Sequence, residues 1–237
     1  MPKDLSIYFS TIESEALKYI ATSDWQSLVL LIEKSIGVSE PQIKQFQKQW
    51  IEVLPESLKY NNHYLLWLSI NLDPTIIHLA SSYFSKTFEF HLNEKEYDQA
   101  FIAWTNLAKL KFYYLDRFSD LLGWLQQADK LLERVELPNN DDVRSEFCVA
   151  YFNTLMFARP EGKHLSRWSK KLSDELLHSQ NCHIKTNIYN NLIFYHLRIG
   201  NKREAELLHK EALGLVHADT QHPFNIIMQS NIFSMVD

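Results

Sequence analysis

The stretch Gly200-Asn201-Lys202-Arg203-Glu204-Ala205-Glu206-Leu207-Leu208-His209-Lys210-Glu211-Ala212-Leu213 decides the fold. A glycine suited to ending one helix is followed by an asparagine suited to starting the next. Ala205, His209 and Ala212 then recur at spacings of four and three, with Leu213 beside them, so they share one helix face. Four other stretches carry the same pattern of an anchor, a small or apolar residue three on, a large one four later and usually a small one three beyond. They are Trp25, Leu28, Ile32 and Ser35; Ile77, Ala80, Phe84 and Thr87; Phe118, Leu121, Leu125 and Ala128; and Leu165, Trp168, Leu172 and Glu175. Small residues at such positions let a neighbouring helix approach closely, which is how helix-pair repeats stack.

The bulk composition agrees with a folded helical chain. Hydrophobic residues make up 46% and charged residues 22%, an ordinary composition for a packed protein. Only five glycines occur, which argues against a strand-and-turn fold and against glycine-rich phosphate loops. A formal charge of −5 lacks the basic footprint of a generic nucleic-acid binder. Cys148 and Cys182 are the only cysteines, so no disulfide framework is expected. The sequence shows no signal-peptide pattern at Met1-Pro2-Lys3-Asp4 and no apolar run long enough to cross a bilayer. A cytoplasmic location is expected.

Apolar periodicity predicts helices at about 5–21, 24–36, 41–53, 62–71, 74–92, 95–114, 117–135, 142–158, 164–179, 183–199, 201–217 and 223–235. Asp24, Asp73 (before Pro74) and Asp116 are candidate N-caps. The clearest loops are Leu137-Pro138-Asn139-Asn140-Asp141 and Arg159-Pro160-Glu161-Gly162. Neither is long enough to be a flexible linker, so residues 1–237 are expected to form one continuous domain. The second signature residues Leu28, Ala80, Leu121, Trp168 and Ala205 stand 52, 41, 47 and 37 residues apart. A tetratricopeptide array would repeat about every 34 residues. The expected fold is therefore all-α, a degenerate right-handed α–α superhelix of about six antiparallel pairs. The signature helices are second in each pair, and the helix around Phe224 to Met235 covers the end.

Gln49-Trp50-Ile51-Glu52-Val53-Leu54-Pro55-Glu56-Ser57-Leu58 resembles the "WI–x–x–LP" segment in the helical-repeat region of large bacterial regulators. Tyr64-Leu65-Leu66-Trp67, Asp73-Pro74, Ala80, Phe84, Phe88, Ala103-Trp104, Trp124, Arg159-Pro160, Trp168 and Gly200-Asn201 continue the likeness over about residues 45–215. The group is the tetratricopeptide-like (TPR-like) superhelical module of multidomain signalling and transcriptional regulators, including the maltose-activator (MalT-like) type. The resemblance implies a sensor or scaffold segment, placed beside a switch or output domain, that responds to an inducer or a protein partner. Trp168 and Glu175 depart from the small residues usual at their positions. No Walker A sequence or DNA-binding helix pair is visible.

Asn106, Asn153 and Asn190 each lie 15 residues before a second signature residue, at Leu121, Trp168 and Ala205. The resemblance places them on the first helix of three consecutive units, facing the concave groove, with Asn187 and Asn191 beside the last. Asparagine is a poor helix former, and its amide both donates and accepts. The series is read as a candidate hydrogen-bonding ladder for an extended peptide; the alternative is coincidence in an asparagine-rich chain. Arg159, Lys163, His164, Arg167, Lys170 and Lys171 form a candidate anion-binding cluster, with a solvated helix start as the alternative.

Catalytic and metal signals are sparse. Arg203 and His209, like Arg159 and His164, resemble the spaced polar pair of helical HEPN-type ribonucleases, although His209 also fills a packing position. His178, Cys182 and His183 lack the fourth ligand of a zinc site. The tryptophans recur at packing positions and read as core rather than as a stacking platform. No metal, cofactor or catalytic residue is assigned. The expected function is a non-enzymatic sensing or interaction module that binds a peptide or a small inducer. No direct nucleic-acid or membrane contact is expected. A free-standing peptide adaptor and a helical ribonuclease are the alternatives.

Overall fold

A computed structural model of the chain describes residues 3–35, 41–114, 121–160 and 162–216. Every regular element among them is an α-helix. In chain order they are α1 (Lys3–Thr22), α2 (Trp25–Ser35), α3 (Pro41–Val53), α4 (Glu56–Asn61), α5 (His63–Leu72) and α6 (Ile76–Glu94). There follow α7 (Tyr97–Tyr114), α8 (Leu121–Leu132), α9 (Asp141–Ala158), α10 (Lys163–His178), α11 (Cys182–Arg198) and α12 (Lys202–Val216). The all-α class is thus present, and all but α4 match helices read from periodicity. Phe118, the candidate cap Asp116 and the expected helix around Phe224 to Met235 lie outside the described residues.

Most of the signature residues are core residues, while Trp25, Ile77, Thr87, His209 and Leu213 are half-buried. Leu28, Ile32, Ser35, Ala80, Phe84, Leu121, Leu125, Ala128, Leu165, Trp168, Leu172, Ala205 and Ala212 are all buried. Glu175, which occupies a small-residue position, is only 5% exposed. It is held there by Arg144 Nε, at 2.9 and 3.2 Å from its two oxygens, and by the Ser145 hydroxyl at 2.7 Å. A buried carboxylate is tolerated where it is paired and hydrogen-bonded.

The helices group into two compact units, Met1–Ala80 and Ser81–Asp237. In the first, α1, α2, α3 and α5 bury Ile12, Ala16, Leu28, Ile32, Trp50, Ile51, Leu54, Leu65 and Leu68 together. The Trp50, Ile51 and Leu54 of the "WI–x–x–LP" segment are therefore packing residues. Pro55 then breaks α3 and opens the short α4, accepting from the Leu58 and Lys59 amides. Buried Gln47 donates to the Ser35 carbonyl and hydroxyl at 3.0 and 2.9 Å, tying α3 to the end of α2.

In the second unit α7, α9 and α11 lie side by side. The helix α8 packs on α7 and α9, α10 on α9 and α11, and α12 on α11. One continuous cluster runs through Phe101, Trp104, Leu125, Phe147, Tyr151, Phe152, Trp168, Leu172, Ile188 and Tyr195. The Trp104 indole N–H donates to the Trp124 carbonyl at 3.0 Å. Trp50, Trp104 and Trp168 are buried.

One turn recurs three times. At Tyr19–Asp24, His91–Glu96 and His196–Asn201, the sixth residue's amide bonds the first carbonyl at 2.9, 2.9 and 2.8 Å. The fifth amide bonds the second carbonyl in each, and the fifth residue is left-handed: Ser23 at φ 54°, Lys95 at 62° and Gly200 at 77°. This is the paired 6→1 and 5→2 closure that ends a helix. As expected, Asp24 and Asn201 then cap the next helix through Ser27 and Glu204. Asp73 instead bonds the Thr75 amide and hydroxyl, and the α-helix starts one turn later, at Ile76. The turn also closes the end of α6, a signature helix, just as it closes α1 and α11, which the sequence makes first helices. Because a side chain is strained at positive φ, Lys95→Gly is expected to stabilise the chain by about 0.5–1 kcal/mol. That gain raises Tm by about 1–4 °C, and Lys95→Ala should show no such gain in a thermal melt.

Candidate binding face

Three helices of the second unit present a common face. In α9, between Ser145 and Met156, only Glu146 and Asn153 escape burial, because α7 and α11 flank the helix and α8 and α10 back it. Glu146 and Asn153 are two turns apart, and Phe157 follows Asn153 by one turn, so the three form a single stripe. On α7 the half-buried stripe is Ile102, Asn106 and Lys109. It joins that of α9 through the Lys109–Glu146 ion pair at 2.9 Å. On α11 the stripe is His183, Asn187, Asn190, Asn191 and Phe194. It joins α9 through Phe157 and Phe194, whose rings stack at 5.9 Å and 12°.

The structure therefore carries Asn106, Asn153 and Asn190 on half-buried positions of three adjacent helices. Trp104 meets Tyr151 at 6.2 Å, and both pairs, Trp104–Tyr151 and Asn106–Asn153, span 47 residues. The amides of Asn106 and Asn153 have no hydrogen-bond partner among the described residues. Asn187 meets His183 Nδ1 at 3.3 Å, and Asn191 donates back to the Asn187 carbonyl at 2.8 Å, so these two are partly engaged within α11.

The face is polar at one end and aromatic at the other. At the polar end, burial and the Lys109 charge hold the His183 pKa below its ordinary 6.5, partly opposed by Glu146. Burial lowers that of His196 as well. The unfolded chain then binds protons more readily than the folded one. Stability from these groups is full above a pH of about 6.5 and is lost as pH falls below it. Urea unfolding should show a falling midpoint through that window, and His183→Gln should flatten the fall.

At the aromatic end, Phe112 meets Phe157 at 5.1 Å. Phe157, Phe194, Leu197 and Arg198 line an open hollow of about 550 Å³. The Arg198 guanidinium donates to the Met156 carbonyl at 2.7 Å, satisfying one of the acceptors that a helix C-terminus leaves open. Lys109, Glu146, Phe157, Phe194 and Arg198 were not among the residues expected from sequence. The repeated pair Asn153/Phe157 and Asn190/Phe194, each four apart, is the signal that would have found the two phenylalanines.

The basic cluster divides. Arg159 is bound to Asp129 at 2.8 Å. The same carboxylate accepts from the Tyr151 hydroxyl at 2.5 Å, and that hydroxyl meets His164 Nε2 at 3.1 Å. Burial and the Asp129 bond push the Tyr151 pKa well above the ordinary tyrosine value. Lys163, Arg167 and Lys170 lie on one exposed stripe of α10, and Lys171 covers the Trp168 ring at 5.4 Å.

Arg203 is exposed at the start of α12 and His209 is half-buried further along it. Six residues on one helix set them about 120° apart around its axis. Among the described residues, no group of three or more His, Cys, Asp or Glu side chains gathers as metal ligands would. No helix there is long and apolar enough to cross a membrane. Comparison with protein families, with characterised proteins and with solved structures found no match.

Proposed function

We propose that the chain is a non-enzymatic interaction module whose α7–α9–α11 face binds an extended peptide. In this reading its helices form a TPR-like α–α superhelix, and it serves as the sensing segment of a bacterial signalling or transcriptional regulator of the maltose-activator (MalT-like) type, acting in the cytoplasm. The observation that carries the proposal is the placing of Asn106, Asn153 and Asn190 on neighbouring helices at half-buried positions. Amides spaced across adjacent helices suit the alternating donors and acceptors of an extended backbone. The stacked phenylalanines beside them supply apolar area for a side chain. A ribonuclease finds less support, since Arg203 and His209 diverge around their helix and Arg159 is already paired with Asp129.

Selection of peptides from a random display library on the immobilised chain tests the proposal. Asn153→Ala and Asn190→Ala should each weaken the selected peptides by about 3–10-fold, the worth of one net hydrogen bond. Selected peptides that keep parental affinity for both variants would remove this face from consideration. RNA cleavage by the unaltered chain, lost in Arg203→Ala or His209→Ala, would replace the binding reading with the ribonuclease.

A further inference from the structure

We infer that the hollow at the aromatic end of this face is a site for a small carboxylate bearing an aromatic or branched apolar group. Phe157 and Phe194 form its stacked wall, with Leu197 beside them and Arg198 at the rim. Arg198 is held by a main-chain carbonyl and not by an acid. None of the ion pairs among the described residues involves it. A guanidinium has five N–H donors in a planar fork, and the Met156 bond at 2.7 Å uses Nη1. The fork therefore keeps donors, and among the described residues no carboxylate pairs with it at the edge of the apolar wall. Carboxylates match such a fork with two parallel hydrogen bonds.

Among the described residues no acidic side chain lines the hollow, so a cation or a neutral amide gains less there than an anion. Its volume of about 550 Å³ lies within the range of about 300–1,000 Å³ for small-molecule sites. A flat apolar body against the phenylalanines, with its carboxylate toward Arg198, satisfies both halves of the lining. The inference uses the binding face proposed above but does not depend on its asparagines.

Calorimetric titration of the intact chain with 3-phenylpropionate, and with 3-phenylpropionamide, tests it. The acid should bind saturably, and the amide should bind about tenfold more weakly or worse. Arg198→Met should lose a similar factor, and Arg198→Lys should recover part of it. Phe194→Ala should weaken the acid, while Lys130→Ala, at an exposed position of α8, leaves it unchanged. Unaltered thermal melts establish that each variant is folded, and the Lys variant remains informative if Arg198→Met is not. Equal binding of acid and amide, parental affinity in Arg198→Met, or no saturation up to the solubility limit overturns the inference. So does a phenylalanine-ended peptide that binds here when the free acid does not. Loss of acid binding with peptide binding intact would discard the hollow alone. Acid binding with no peptide sensitive to Asn153 or Asn190 would discard the peptide reading alone.

Discussion

A Glu175→Ala variant is expected to lose about 3–5 kcal/mol of stability, the cost of removing one partner of a buried ion pair. Glu175 lies on α10 and is only 5% exposed, while Arg144 and Ser145 lie at the start of α9. The two carboxylate oxygens take both contacts of Arg144 Nε and the Ser145 hydroxyl bond. Truncation leaves a half-buried guanidinium with only Asp141 for company, at 2.7 Å, and a buried hydroxyl with no acceptor. It also opens space beside Cys148, whose thiol burial, together with the Glu175 charge, pushes up to about 12. Domains are stable by only about 5–15 kcal/mol, so a large part of the total is at stake. Urea unfolding should show a lower midpoint at unchanged slope. The joint change Arg144→Met with Glu175→Leu should recover most of the loss, because replacing both charges removes the desolvation problem. A Glu175→Ala loss below about 1 kcal/mol would mean that the pair behaves like an exposed one.

Trp104→Ala should cost about as much, roughly 3–5 kcal/mol. The indole is fully buried on α7 and meets Phe147 at 5.2 Å and Tyr151 at 6.2 Å, both on α9. Its N–H also reaches the Trp124 carbonyl of α8. One side chain thus holds three helices by two kinds of force. Trp104→Phe separates them in large part, since it retains one ring of the apolar contact and removes the hydrogen bond. That variant should lose about 1–3 kcal/mol, from one net hydrogen bond and the volume of the missing ring, while the Trp124 carbonyl keeps its partner inside α8. Similar losses in the two variants would show that the hydrogen bond, not the packing, dominates at this position.

Helix positions were legible because their cause is local: apolar residues recur with the helix period, and Asp24 and Asn201 start helices by their own side chains. The six-residue α4 was not legible, since Glu56–Asn61 is too short to show a period between Pro55 and Asn62. The turns at Ser23 and Lys95 were hidden for another reason. Both adopt the left-handed conformation without glycine, so only Gly200 advertised it. Glu175 looked like a flaw in its repeat because its partner Arg144 is 31 residues away in sequence. Arg159 looked free for an anion because Asp129 is equally remote. At the candidate face, asparagines inside helices stood out against their propensity. Phe157 and Phe194 did not, since an apolar residue at helical spacing reads as ordinary core.

The place of α9 has a consequence for how damage spreads. It is flanked by α7 and α11 and backed by α8 and α10, so it belongs to the contact surfaces on both of its sides. Among the described helices, α12 packs chiefly on α11, whereas α9 packs on four neighbours. A lesion in α12 is felt chiefly by α11; a lesion in α9 is felt by all four helices around it.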